Sequence, residues 1–127
     1  MVAAAGNENE TNPGLEWWPA AYDPVLAVAS VDADGQPAKE SNRGAWVDVA
    51  APGTDLLAPS AGGSGYRTFT GTSFATAVVS GVAALVRQRY PDLTNEEVVR
   101  RIQGTAVSAT GGRAGGPAAA SSTRTWR

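Results

Sequence analysis

The sequence predicts an α/β fold, and two observations carry that prediction. Short apolar runs, Val2–Ala5, Val25–Val31 and Trp46–Ala51, each stop at turn-forming residues, as strands buried in a core do. From Ser73 to about Tyr90 the apolar spacing becomes helical instead. The chain has 127 residues, enough for one domain or part of one. Its hydrophobic fraction of 43% suits a folded core, and with only 7% aromatic residues that core is built mainly from Ala, Val and Leu.

Val2–Ala5 reads as the end of a buried strand, stopped by Gly6-Asn7. A domain rarely starts inside a core strand, so the natural fold is expected to start upstream. Residues 8–24 are polar, Pro-containing and aromatic, with Trp17, Trp18 and Tyr22, and read as a surface loop or short irregular helix. Val25–Val31 is valine-rich and enters a turn at Asp32-Ala33-Asp34-Gly35. Ser41-Asn42-Arg43-Gly44 reads as another turn. Trp46–Ala51 is a strand ending at Pro52-Gly53, Leu56–Pro59 a short strand, Ser60–Gly65 a flexible loop, and Tyr66–Thr70 a short edge segment leading into Gly71.

In the helix that follows, Val78, Val82, Leu85 and Val86 form the expected inward face. Gly81 costs about 1 kcal/mol relative to Ala, which predicts close packing against a neighbour there. Arg87 and Arg89 suit the negative helix end, and Pro91 stops the helix. Thr94 and Glu97 have the spacing of a capping box. The second helix runs to about Gln103, with Val98, Val99 and Ile102 inward and Gly104 at C′. Residues 1–107 are thus the folded part. Residues 108–127, rich in Gly, Ala, Ser and Arg, bury too little to offset chain entropy and are expected to be disordered.

Composition removes several classes of function. There is no cysteine, hence no disulfide or thiolate metal site, and no histidine, the commonest metal ligand. No cofactor or metal is expected. Residues 1–64 hold nine acids against two basic residues, net −7; residues 65–127 hold three acids against eight arginines, net +5. The two halves balance as parts of one fold. The basic half lacks the dense Lys/Arg stripe with interleaved aromatics that nucleic acid requires. No apolar run approaches the ~20 residues that span a bilayer, and the first residues lack the basic and apolar regions of a secretory signal.

The chemistry concentrates in Gly71-Thr72-Ser73-Phe74-Ala75 and the small-residue helix after it. A hydroxyl there sits at a helix N-terminus, where negative charge is favoured. That suits a nucleophile whose reaction generates an oxyanion. A serine nucleophile needs a base, and the chain has no histidine to serve as one. Taken alone, a serine like Ser73 is more often a helix N-cap and an asparagine like Asn7 more often a turn residue.

Three spaced segments change that balance: Val2-Ala3-Ala4-Ala5-Gly6-Asn7-Glu8, Val47-Asp48-Val49-Ala50-Ala51-Pro52-Gly53, and Gly71 through Gly81. Together they resemble the C-terminal part of subtilisin-like serine proteases over residues 2–107. Trp18 to Val28 and the Gly-Thr-Ser-Phe-Ala variant resemble the mycosins of type VII secretion most. The resemblance implies a three-layer fold with a parallel sheet, here only its C-terminal part, and serine endopeptidase activity on polypeptides. It implies Ser73 as the nucleophile, with its N–H as one oxyanion donor and Asn7 as the other. Gly71 would allow close approach at the turn, which Thr72 supports.

In that family the triad runs Asp, His, Ser, so Asp and His would lie upstream of Met1. A complementary N-terminal half carrying them is the implied partner, and without it the chain is expected to be inactive. Ala77 stands where the family has a proline, and Glu40 where it has an apolar residue. After Thr105-Ala106 the family continues into a Gly-rich strand, and mycosins add a membrane helix. Here the tail ends as a truncation or frameshift would produce. Family members act outside the cytoplasm, though this chain shows no export signal.

Overall fold

The computed structural model describes residues 1–108 and 124–125. Three parallel strands form its centre: β1 (Val2–Ala4), β2 (Leu26–Val31) and β3 (Val49–Pro52). β1 pairs with β2 in register Val2 with Leu26, and β2 with β3 in register Val28 with Val49. β4 (Leu56–Pro59) and β5 (Tyr66–Phe69) form a separate antiparallel hairpin, Leu56 opposite Phe69. Helices α1 (Thr72–Arg89) and α2 (Asn95–Thr105) follow, then β6 (Val107–Ser108) and β7 (Arg124–Thr125). β7 lies parallel to β3 and antiparallel to β6, giving the sheet order β1-β2-β3-β7-β6.

β2 is buried along its whole length, as parallel strands covered on both faces are. Its alternation sorts residues between layers. Leu26 and Val28, with Val49 and Ala51 of β3, pack against Ala75, Val79, Val98 and Ile102 of the two helices. Ala27, Ala29 and Val31 face the other way. Among the described residues that second face is covered by Ala20, Val47 and Trp46 rather than by helices. The α/β class and the parallel sheet are as expected.

Local readings needed four corrections. The third strand starts at Val49, not Trp46. The Asp48 carboxylate accepts the Ala27 N–H at 2.8 Å, so a side chain takes the ladder's place there. The buried face of α1 is Thr72, Ala75 and Val79, with Val82, Ala83 and Val86 partly covered. Val78 is 39% and Leu85 66% exposed. Both sets satisfy helical spacing, and only the direction of approach of the sheet chooses between them. Gly81 has no neighbour within 4 Å of where a Cβ would stand, so it makes no close packing. Gly104 lies inside α2, which ends at Thr105 with the Ala106 N–H bonded to the Ile102 carbonyl.

The capping box is present. The Glu97 N–H donates to Thr94 Oγ1, and the Thr94 N–H donates to Glu97 Oε2 at 2.8 Å. Of the expected disordered tail, residues 109–123 and 126–127 lie outside the described residues. Within the same stretch Ser108 ends β6 and Arg124–Thr125 form β7.

Candidate active site

Asn7 stands just beyond β1, and Thr72 and Ser73 open α1. The sheet brings these two chain segments, 65 residues apart, into contact. Asn7 Oδ1 accepts the Thr72 backbone N–H at 2.9 Å and the Thr72 hydroxyl at 3.1 Å. Thr72 Oγ1 in turn accepts the Gly6 N–H at 3.2 Å. With its oxygen held by two donors, the Asn7 amide keeps its NH₂ group for another acceptor.

Ser73 is exposed beside this junction. The Thr72 N–H is taken by Asn7, and the Phe74 N–H by the Gly71 carbonyl at 3.1 Å. Between them the Ser73 N–H is one of the donors that a helix start leaves without an intrahelical partner. The N-cap residue, Gly71, has no side chain of its own to reach the Ser73 N–H. Ser73 therefore presents a hydroxyl and an N–H together, at the positive end of an 18-residue helix.

The glycines here answer to geometry. Gly71 has φ 152 and ψ 157, a region essentially closed to other residues. A Cβ there would also sit 3.5 Å from Asn7 Nδ2. The Gly71 N–H donates to the Gly53 carbonyl at 2.8 Å, tying the approach to the helix to the end of β3. A Cβ on Gly53 would lie 2.7 Å from Ser30 Cβ and 2.9 Å from the Gly71 carbonyl oxygen.

The four residues singled out from sequence, Asn7, Gly71, Thr72 and Ser73, are thus brought together. Sequence reasoning missed Asn42, which it read only as part of a turn and which is fully buried. Asn42 bonds the residues on both sides of Asn7: its N–H donates to the Gly6 carbonyl at 2.9 Å, and its Oδ1 accepts the Glu8 N–H at 2.8 Å. A polar residue among turn formers carries no signal of burial. Among the described residues, no group of three or more His, Cys, Asp or Glu side chains converges to hold a metal ion.

The model of the subtilase family, a peptidase family, matches residues 1–123. The chain belongs to this family. Among relatives of this subtilase, mycosin-1 of Mycolicibacterium smegmatis is 45% identical over 104 residues, covering 74% of the chain and 23% of that protein. A thermostable alkaline protease of Halalkalibacterium halodurans is 42% identical over 107 residues, covering 84% and 28%. Among solved structures, MycP1 is a serine protease and an essential component of the type VII (ESX-1) secretion system. It superposes with a TM-score of 0.71 at 38% identity, over 83% of this chain and 36% of that one. The subtilase chain spans about a quarter of the length of the curated relatives it matches.

Proposed function

We propose that this chain carries the nucleophile and oxyanion hole of a subtilisin-like serine endopeptidase. Ser73 Oγ attacks the peptide carbonyl carbon and gives its proton to a base, while the carbonyl oxygen becomes an oxyanion. The Asn7 NH₂ group and the Ser73 N–H donate to that oxygen. The observation that supports this reading most is the double grip of Thr72 on Asn7 Oδ1, which leaves the NH₂ edge for another acceptor beside Ser73. Gly71 and Thr72 support the turn.

No histidine is present among the 127 residues, so a histidine base comes from outside them, and in the family's Asp, His, Ser order the aspartate that orients it does too. For the chain by itself the expected proteolysis is negligible. In subtilisin, the source of the figure, loss of the base costs about as much as loss of the whole triad, ~10⁶ in kcat. The substrate class is polypeptide, and the likeness to mycosins supports a setting in type VII secretion. No helix among the described residues is long and apolar enough to cross a membrane.

The test is fluorophosphonate labelling of the chain, alone and mixed with a polypeptide bearing the family's Asp and His motifs. Labelling and hydrolysis that appear on mixing and vanish in Ser73→Ala support the proposal. A folded mixture in which Ser73 never labels refutes it.

A second reading is a non-catalytic fragment that binds a complementary half or a secretion-system partner. The bare face of α1 at Val78, Gly81 and Leu85 favours it. Stable binding on mixing, without labelling of Ser73, selects this reading over the first.

A further inference from the structure

We propose that Asn42 is a positioning residue that aims the Asn7 amide by clamping the peptides on both sides of it. This rests on the reading of Asn7 as an oxyanion donor. Asn42 is completely buried and uses its backbone N–H, its amide oxygen and its amide nitrogen at once. The backbone N–H holds the Gly6 carbonyl at 2.9 Å, and Oδ1 accepts the Glu8 N–H at 2.8 Å. Nδ2 donates to the Leu15 carbonyl at 3.1 Å and, more weakly, to Glu8 Oε2 at 3.4 Å. Glu8 Oε2 itself accepts the Asn7 N–H at 2.7 Å. The Gly6 carbonyl, the Asn7 N–H and the Glu8 N–H are therefore tied, directly or through Glu8, to one buried residue.

The local backbone is built around that amide. Gly6 has φ +99, and a Cβ on it would stand 2.6 Å from Asn42 Nδ2 and 2.8 Å from Glu8 Oε2. Gly6 is bare because Asn42 occupies the space. Thr72 holds the end of the Asn7 side chain, whereas Asn42 holds its root, and a side chain fixed at both places has one direction left for its NH₂ group. Donors aimed before the charge develops need no reorganisation during the reaction. The neighbouring bond from Asn9 Nδ2 to the Lys39 carbonyl, 3.1 Å, joins the same two segments without touching residues 6–8, and so separates positioning from simple fastening.

The experiment follows the side-chain NH₂ signals of Asn7 and the amide exchange of Thr72 in the ¹⁵N-labelled 127-residue chain. Asn42→Ala keeps its backbone bond to Gly6 and loses the side-chain bonds. The expected result is collapse of the two Asn7 protons toward the solvent-averaged shift and at least ~10-fold faster Thr72 exchange, with Val28 and Val79 signals unmoved. Asn9→Ala leaves all of these unchanged. In the complemented enzyme, Asn42→Ala is expected to lower kcat with KM unchanged. That loss should be smaller than the ~10²–10³ that subtilisin itself shows on losing this donor.

An unchanged Asn7 pair in folded Asn42→Ala overturns the proposal, as does an equal response to Asn9→Ala. If Asn42→Ala does not fold, the wild-type chain decides: two resolved Asn7 NH₂ protons together with a slowly exchanging Glu8 amide support the clamp, and a solvent-averaged Asn7 pair or a fast-exchanging Glu8 amide overturns it. A wild-type mixture without Ser73-dependent labelling defeats the protease reading, while the Asn7 signals report separately on the clamp.

Discussion

At the scale of single residues, the site tolerates change unevenly. Ser73 is exposed, and the hydrogen bonds around it belong to its neighbours. Ser73→Ala is therefore expected to change stability by less than ~0.5 kcal/mol while abolishing probe labelling in the complemented enzyme. Denaturation and labelling of the same sample check both halves. Gly53→Ala should behave in the opposite way. Its Cβ would press on Ser30 Cβ at 2.7 Å and on the Gly71 carbonyl at 2.9 Å, neither of which can swing aside. Overpacking of this kind costs about 1–3 kcal/mol, and it acts on the segment that delivers Ser73. Urea unfolding of Gly53→Ala reads the cost directly; a midpoint equal to wild type contradicts the geometry.

At the scale of elements, α1 offers a comparison between adjacent residues. Val79 is fully buried against the sheet and Val78 is 39% exposed. Val79→Ala is expected to cost about 2 kcal/mol through lost burial and a cavity, and Val78→Ala under ~0.5 kcal/mol, both read by chemical denaturation. For α2 the capping box sets a pH dependence. The Glu97 carboxyl is held below its ordinary range first by the Thr94 N–H, then by the Thr94 hydroxyl, with smaller help from Arg100 and Arg101. A depressed carboxylate contributes stability that is full above its unfolded value of about 4.3 and is lost as pH falls through its folded value. Amide exchange at residues 95–98 should therefore show fraying that deepens as pH falls below ~4, and Glu97→Gln should flatten that dependence. An identical pH profile in Glu97→Gln would refute the assignment.

At the scale of the whole molecule, the chain has unfinished surfaces among its described residues. β1 pairs only with β2 there, which leaves a row of backbone groups on its other side. Open edges of this kind pair with other chains. Alongside, Met1, Val2, Leu26, Ala83 and Val99 help line a cavity of about 940 Å³ between the edge and the helices. The isolated chain is expected to self-associate as its concentration rises, measured by sedimentation, and to return to monomer-sized complexes when the complementary polypeptide is added. A monodisperse monomer at high concentration would show that the edge is already protected.

How much was legible in the sequence follows from the range of each interaction. Apolar runs against turn residues located β1, β2, β4 and α1, because strand burial and helical periodicity are properties of consecutive residues. The capping box was readable for the same reason: Thr94 and Glu97 are three apart and need no partner elsewhere. Three spaced motifs were enough to single out Asn7 and Ser73 together as candidates for one site. Other features depended on residues far apart in the chain. The burial of Val79 rather than Val78 depends on where the sheet lies. β7 depends on a strand 75 residues earlier, Val49 opposite Arg124. Asn42 looked like a turn residue because the bonds of its N–H and its side-chain amide go to Gly6, Glu8 and Leu15, none within 26 residues of it. The sequence alone singled out the residues to which the proposed chemistry is assigned. Tertiary structure alone decided what holds them in place, because hydrogen bonds that position a side chain close between segments whose meeting no local pattern records.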